Sequence, residues 1–242
     1  MASFLNRRFC IGVNSGTDAL YIGLKGAGIG EGDEVITTSL SWIATANAIR
    51  LTNAEPVFAD IREDLNIDPE SVEKLISKKT KAIVVVHYTG LLCDMERIKQ
   101  IARNHGLLLV EDAAQAFGAQ VDGTRAGSFG DMACFSMNPM KVFAALGESG
   151  MILTDDEAVY NRVMALRYNG TINREELLQP GLNGRMDTIQ AAVLLERFKW
   201  VFDIIEQRRQ NAALYNRLLC GQVSKPGIYE DQHVYYTYTI QT

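Results

Sequence analysis

Short apolar runs alternate with amphipathic segments along most of this chain, and that rhythm predicts strands separated by helices. Thr17 to Ala27 carries apolar positions at helical spacing, with Ser15 placed as a cap and glycines closing it. Glu34-Val35-Ile36-Thr37-Thr38 reads as a strand, Trp42 to Leu51 as a helix, and Pro56-Val57-Phe58-Ala59-Asp60 as a second strand. Asp68-Pro69-Glu70 opens a helix through Ile76, with proline in the first turn, where its missing N–H costs little. Ala82 to Val86 and Leu107 to Glu111 are almost wholly apolar, as strands covered on both faces of a parallel sheet should be. Between them Met95 to Asn104 is an amphipathic helix ended by Gly106, and Met132 to Phe135 gives a further strand. The predicted fold class is α/β: a mostly parallel, open central sheet flanked by helices.

From Met186 to Leu219 the pattern becomes helical over a long stretch with room for a bend, and Gly221 and Pro226-Gly227 then mark a boundary. Val234 to Ile240 alternates like a strand and stops, which points to a second domain cut short. No repeat or low-complexity tract interrupts the chain, and no linker is expected before about residue 222.

Composition narrows the function more than the fold. The 242 residues suffice for one large domain and part of another, and 47% hydrophobic with 22% charged residues is ordinary for a soluble protein. A net charge of −5 without any Lys/Arg run gives no support for nucleic-acid binding, though a few local donors could still hold a small anion. Cys10, Cys93, Cys134 and Cys220 are scattered, without metal-ligand spacing, so reduced thiols and no metal site are expected. No apolar segment is long enough for a bilayer, and residues Met1 to Arg8 lack a signal-peptide pattern; a cytoplasmic protein is expected.

Candidate chemistry gathers where strands end, which is where ligands collect in open α/β sheets. Glu111-Asp112-Ala113-Ala114-Gln115-Ala116 closes one apolar run, and Phe135-Ser136-Met137-Asn138-Pro139-Met140-Lys141 closes another before Gly147-Glu148-Ser149-Gly150. A carboxylate, a carboxamide, a hydroxyl and an amine so placed are what covalent binding of pyridoxal 5′-phosphate requires. Asp112, ionised opposite the pyridine nitrogen, would keep the ring protonated and make it a stronger electron sink; an Asp after a strand taken alone is more often a cap or turn. Gln115 could donate to the phenolic oxygen or be an ordinary helix residue. Lys141 lies between Met140 and Val142-Phe143-Ala144-Ala145-Leu146, surroundings that could desolvate an amine, and attack on an aldehyde needs the neutral form. Gly16 and Thr17, in Asn14-Ser15-Gly16-Thr17-Asp18-Ala19-Leu20, stand at a helix start whose free N–H groups suit a phosphate, with the Ser136 hydroxyl beside it; singly, each reads as a cap. Trp42 could stack on the ring or be a core or interface residue, and His87, after a buried strand, reads as structural.

Together these motifs, with Gly28-Ile29-Gly30-Glu31-Gly32-Asp33-Glu34-Val35 and Gly184-Arg185-Met186-Asp187-Thr188-Ile189-Gln190-Ala191-Ala192, resemble the DegT/DnrJ/EryC1/StrS family of pyridoxal-phosphate-dependent nucleotide-sugar aminotransferases. The resemblance implies the aspartate-aminotransferase fold (fold type I). It implies that Lys141 forms the Schiff base, Asp112 meets the pyridine nitrogen, Gln115 the phenolic oxygen and Trp42 the ring face, and that Gly16, Thr17 and Ser136 bind phosphate. It further implies a homodimer with shared sites, Asn183 or Arg185 reaching the neighbour's phosphate, L-glutamate as donor and the keto group of a nucleotide-linked deoxysugar as acceptor. Residues 1–222 would be the cofactor-binding large domain without its N-terminal segment, and 223–242 the start of a truncated small domain. The chain departs from the family pattern at Met137, Ser149 and Leu91-Leu92, which leaves the sugar pocket open. A family dehydratase carries histidine in place of Lys141; a regulatory or inactive family member is the other alternative.

Overall fold

A seven-stranded sheet runs through the computed structural model, which describes residues 1–219, 223–224 and 230–241. Its strands are β1 (Phe9–Val13), β2 (Glu34–Thr38), β3 (Glu55–Ala59), β4 (Thr80–Val86), β5 (Leu108–Asp112), β6 (Met132–Ser136) and β7 (Gly150–Thr154), in the order 1-7-6-5-4-2-3. Pairings from β6 through β5, β4 and β2 to β3 are parallel, whereas β7 is antiparallel to both β1 and β6. The reversal brings the first residue of β7, Gly150, opposite the last residues of β1 and β6, Val13 and Ser136. One rim of the sheet therefore collects the ends of β1, β5 and β6 together with the beginning of β7.

The helices are α1 (Gly16–Gly26), α2 (Ala44–Leu51), α3 (Pro69–Leu75), α4 (Met95–His105), α5 (Glu157–Leu166), α6 (Thr188–Arg197) and α7 (Val201–Leu218). Side chains of β4 alternate between two cores. Ala82 and Val84 enter the cluster that holds Leu20 and Leu24 of α1, Ile49 of α2 and Val163 of α5. Ile83 and Val85 enter the one that holds Val72 of α3 and Ile98 of α4. Both faces of β4 are thus covered, which explains its unbroken apolar sequence. A third cluster, rich in phenylalanine (Phe117, Phe135, Phe143, flanked by Phe4 and Phe198), packs α6 and α7 against the sheet. Caps fall where the sequence puts them: Ser15 Oγ accepts from Asp18 N at 3.0 Å, and Asp68 from Glu70 N at 3.1 Å.

Two expectations need correction, and three elements went unread. Helix α2 starts at Ala44, not Trp42, because Ser41 is held in the preceding turn by a 2.8 Å contact to the Thr45 hydroxyl. The long helical stretch is present, its bend falling between Arg197 and Val201. Val234 to Ile240 forms no strand: Tyr235 has φ 48°, outside extended space, and the segment instead bonds to the turn after β4 (Val234 N to Gly90 O, 3.0 Å; Thr237 N to Thr89 O, 3.3 Å). Strands β1 and β7 and helix α5 were not read from the sequence at all. The proposed boundary at Gly221 and Pro226-Gly227 lies outside the described residues, as does Cys220. Among the described residues no helix is long and apolar enough to cross a membrane.

Candidate active site

The start of α1 meets β6 at van der Waals distance. A Cβ on Gly16 would lie 2.5 Å from Ser136 Cβ and 3.1 Å from Ser136 Oγ, so only glycine lets the helix terminus come this close to that hydroxyl. In the first turn Asp18 N is used by Ser15 Oγ and Ala19 N by Ser15 O, while the N–H groups of Gly16 and Thr17 find no acceptor among the described residues. Gly16, Thr17 and Ser136 thus form one cradle of donors at the positive end of a helix dipole. Gly16→Ala is expected to cost about 1–3 kcal/mol by overpacking, read as a lower urea midpoint with an unchanged m-value.

Asp112, the last residue of β5, is buried at the same rim. Its Oδ2 accepts from Thr45 Oγ1 at 2.8 Å and its Oδ1 from Ala114 N at 3.2 Å. Burial pushes the Asp112 carboxyl up; the bonds from Thr45 and Ala114 and the nearby charge of Lys141 pull it down without cancelling the rise. Gln115 is also buried, and its Oε1 accepts from Thr89 N at 2.8 Å. That bond fixes which way the carboxamide faces and leaves its N–H groups for another partner. It depends on an unusual turn: Thr89 has φ 59° and Gly90 φ 93°. A Cβ on Gly90 would meet Val234 Cγ2 at 2.8 Å, Gln115 O at 2.9 Å and Tyr236 N at 3.0 Å.

Lys141 is half-buried, and its Nζ lies 4.4 Å above the Tyr236 ring. Its loop follows β6, whose Cys134 pairs with Asp112, so amine and carboxylate stand at one rim. Asn138 shapes the loop: its O accepts from Lys141 N (2.8 Å), its Oδ1 from Met140 N (2.9 Å), and its Nδ2 donates to Glu148 (2.5 Å). Trp42 is 73% exposed, in the turn whose Ser41 touches Thr45, which in turn touches Asp112. Asn183 and Arg185 flank the end of β1: Arg185 bridges to Val13, and Asn14 N donates to Gly184 O at 3.0 Å. Both side chains are exposed; Arg185 donates to Asn183 Oδ1 (2.8 Å) and covers the Tyr168 ring. Ser149, one of the departures from the family pattern, is fully buried, with no partner for its hydroxyl among the described residues.

Behind the rim lies a structural hub. Glu111 Oε1 accepts from Phe129 N and Gly130 N (2.8 Å each), and Oε2 from Gly127 N (2.7 Å) and His87 Nε2 (3.0 Å). Burial favours the neutral acid, but the His87 bond and the amide donors outweigh it and hold Glu111 below its ordinary value. Burial disfavours an imidazolium at His87, while Cys93 and Glu111 favour one and push the ring up. The Cys93 N–H aimed at Nδ1 (3.2 Å) leaves no place for a second ring proton, so His87 is the neutral tautomer donating from Nε2. Sequence reasoning left His87 as structural, and so it is; it missed Thr45, Thr89 and Tyr236. Thr45 alone had a local signal, standing one turn after Ser41 at a helix start.

Comparison with known proteins gives a consistent picture. The DegT/DnrJ/EryC1/StrS aminotransferase family model matches residues 1–242. The chain is 40% identical over 247 residues to the pleiotropic regulatory protein of Geobacillus stearothermophilus, covering 100% of this chain and 66% of that one. It is 40% identical over 245 residues to dTDP-3-amino-3,6-dideoxy-alpha-D-galactopyranose transaminase of Aneurinibacillus thermoaerophilus, covering 99% and 67%. The crystal structure of DesV from S. venezuelae superposes with TM-score 0.95 at 38% identity, over 100% of this chain and 66% of that. That of NtdA from Bacillus subtilis with bound cofactor PMP gives 0.92 at 35%, over 99% and 56%. The chain thus spans about two thirds of the length of the curated relatives it matches.

Proposed function

The chain belongs to the DegT/DnrJ/EryC1/StrS aminotransferase family, and from that premise we propose that it carries the cofactor-binding part of a pyridoxal-phosphate-dependent aminotransferase. The reaction moves an amino group from an amino acid, L-glutamate being the expected donor, to a keto group of a nucleotide-linked deoxysugar. The residues fit the cofactor: the Gly16–Ser136 cradle, which a Cβ would fill, offers free N–H groups to a phosphate, and a buried carboxylate and an amine stand at the same rim. When bound, pyridoxal phosphate supplies an electron sink that eases breaking of the donor's Cα–H bond.

The chain's own groups then have these tasks. Lys141 would hold the cofactor through its amine and, with that amine free, would take the proton from the donor's α-carbon. Asp112 holds the proton on the pyridine nitrogen. Gln115, its oxygen committed to Thr89, gives an N–H to the phenolic oxygen. Gly16, Thr17 and Ser136 hold the phosphate, and Trp42 covers the ring. A homodimer is part of this reading, with Asn183 or Arg185 completing the neighbour's phosphate site. Exposed Trp42, Met140, Leu146 and Ile189 around the rim support a covering partner. Residues 1–222 act as the large domain and 223–242 begin the smaller one, in a cytoplasmic enzyme.

One observation carries the reading: the Gly16–Ser136 cradle, which a Cβ would fill, stands at the same rim as the buried Asp112 carboxylate, next to the loop that carries Lys141. The test is a half-reaction of the whole protein, loaded with pyridoxal phosphate, on L-glutamate. The visible cofactor band should disappear as one equivalent of 2-oxoglutarate per site is released. Binding without conversion would favour the second reading, a regulatory protein, which the name of the Geobacillus relative brings in. Tyr236 gives a further prediction. Its face keeps Lys141 Nζ in one place, and a misplaced nucleophile reacts more slowly, so Tyr236→Leu should slow cofactor capture about 2–5-fold, and Tyr236→Phe, keeping the ring face, should not. Stopped-flow absorbance measures both.

A further inference from the structure

Burial raises the Asp112 carboxyl above its ordinary value, and the reading above needs it charged. The groups facing it are Lys141 from the loop after β6, His87 after β4, Glu111 beside it on β5 and Cys134 opposite it on β6. Among the described residues none of those side chains donates a hydrogen bond to the carboxylate; the donors are the Ala114 amide and the Thr45 hydroxyl. Thr45 is 2% exposed, so no bulk water can replace it. A threonine hydroxyl has one proton to give. Thr45 spends it on Asp112 Oδ2 at 2.8 Å, and Ser41 Oγ lies 2.8 Å from Thr45 Oγ1. With the Thr45 proton committed to a carboxylate, the Ser41–Thr45 contact can form only if Ser41 donates.

We propose that Ser41 and Thr45 form a two-hydroxyl relay that keeps Asp112 anionic, Ser41 orienting Thr45 and Thr45 orienting Asp112 toward the ring nitrogen of the cofactor. Both are positioning residues. The role of the relay rests on the pyridoxal-phosphate reading, but the relay itself is a property of this chain alone. Consecutive hydroxyl bonds polarise each other, so the outer one strengthens the inner one although it never touches the acid. Thr45 lies in the first turn of α2, where the helix dipole adds to the stabilisation of negative charge. Ser41 is half-exposed and directly precedes Trp42. The turn that carries the ring-covering aromatic therefore also carries the outer end of the relay.

The deciding experiment needs no cofactor. Protein labelled with carboxyl-¹³C aspartate is titrated by infrared spectroscopy, the Asp112 band being identified as the one lost in Asp112→Asn. Thr45→Val, which keeps the shape and removes the hydroxyl, should raise the Asp112 midpoint by about one pH unit, a roughly tenfold change in proton affinity expected for one bond to a charged group. Ser41→Ala should shift it the same way by less, and Thr45→Ser should restore it. A Thr45→Val midpoint equal to wild type, in protein with unchanged urea midpoint, overturns the relay. Should Thr45→Val fail to fold, Ser41→Ala decides: a midpoint that does not move at all overturns it equally. In protein loaded with pyridoxal phosphate, cofactor affinity should fall about tenfold in Thr45→Val and recover in Thr45→Ser. If wild-type protein holds no pyridoxal phosphate, the cofactor reading fails and the infrared titration alone judges the relay.

Discussion

Alanine at Lys141 is expected to leave a folded protein that shows no visible cofactor band and turns over at least about 10⁴-fold more slowly. The fold survives because the loop is built by Asn138 rather than by the lysine side chain: Lys141 N, Met140 N and Glu148 are all tied to Asn138. What disappears is the single amine whose charge bears on Asp112, together with its contact to Tyr236. Absorbance after loading with pyridoxal phosphate, followed by a single-turnover assay with L-glutamate, checks both parts. A variant that keeps the band would remove Lys141 from its assigned role, and with it the proton-transfer step.

Removing Glu111 should produce the largest loss of stability. Glu111→Ala strands three backbone N–H groups, those of Gly127, Phe129 and Gly130, and the Nε2–H of His87, all previously satisfied by one carboxylate. Each buried donor left without an acceptor costs about 1–3 kcal/mol, and chemical denaturation would read the loss directly. The wild-type hub also has a pH signature. The folded carboxyl titrates below its ordinary value of 4.5, so its contribution is complete above that value and is lost as pH falls through the lower, folded one. Glu111→Gln should therefore show a flatter acid limb of stability against pH than wild type. Equal limbs would mean that some other carboxylate governs acid unfolding.

Much of this was legible in the sequence, and the misses have physical causes. Strand β4 and the caps at Ser15 and Asp68 follow from rules that act within a few residues, and they came out within two residues of the observed ends. Residues Phe9–Val13 include a glycine and Gly150–Thr154 begin with one, and neither run alternates cleanly, so β1 and β7 carried no periodic signal. The Val234–Ile240 alternation is real, but strand formation depends on a partner and on φ at Tyr235, which the pattern does not encode. At the site, the motif residues Gly16, Asp112 and Lys141 were recognisable by context. Thr89 was not, and Thr45 had only its place after Ser41 at a helix start, because their importance comes from partners 26 and 67 residues away, contacts made only by the fold.

Gly90 shows how closely two distant contacts are indexed to one backbone position. It holds apart the chain behind Gln115 and the chain that carries Tyr236, within 3.0 Å of where a side chain would begin. A carboxamide and an aromatic ring that never meet therefore share a common spacer. Any side chain introduced there would misalign both at once, so a kinetic defect from such a change would be compound, and attributing it to either partner by single substitutions would mislead.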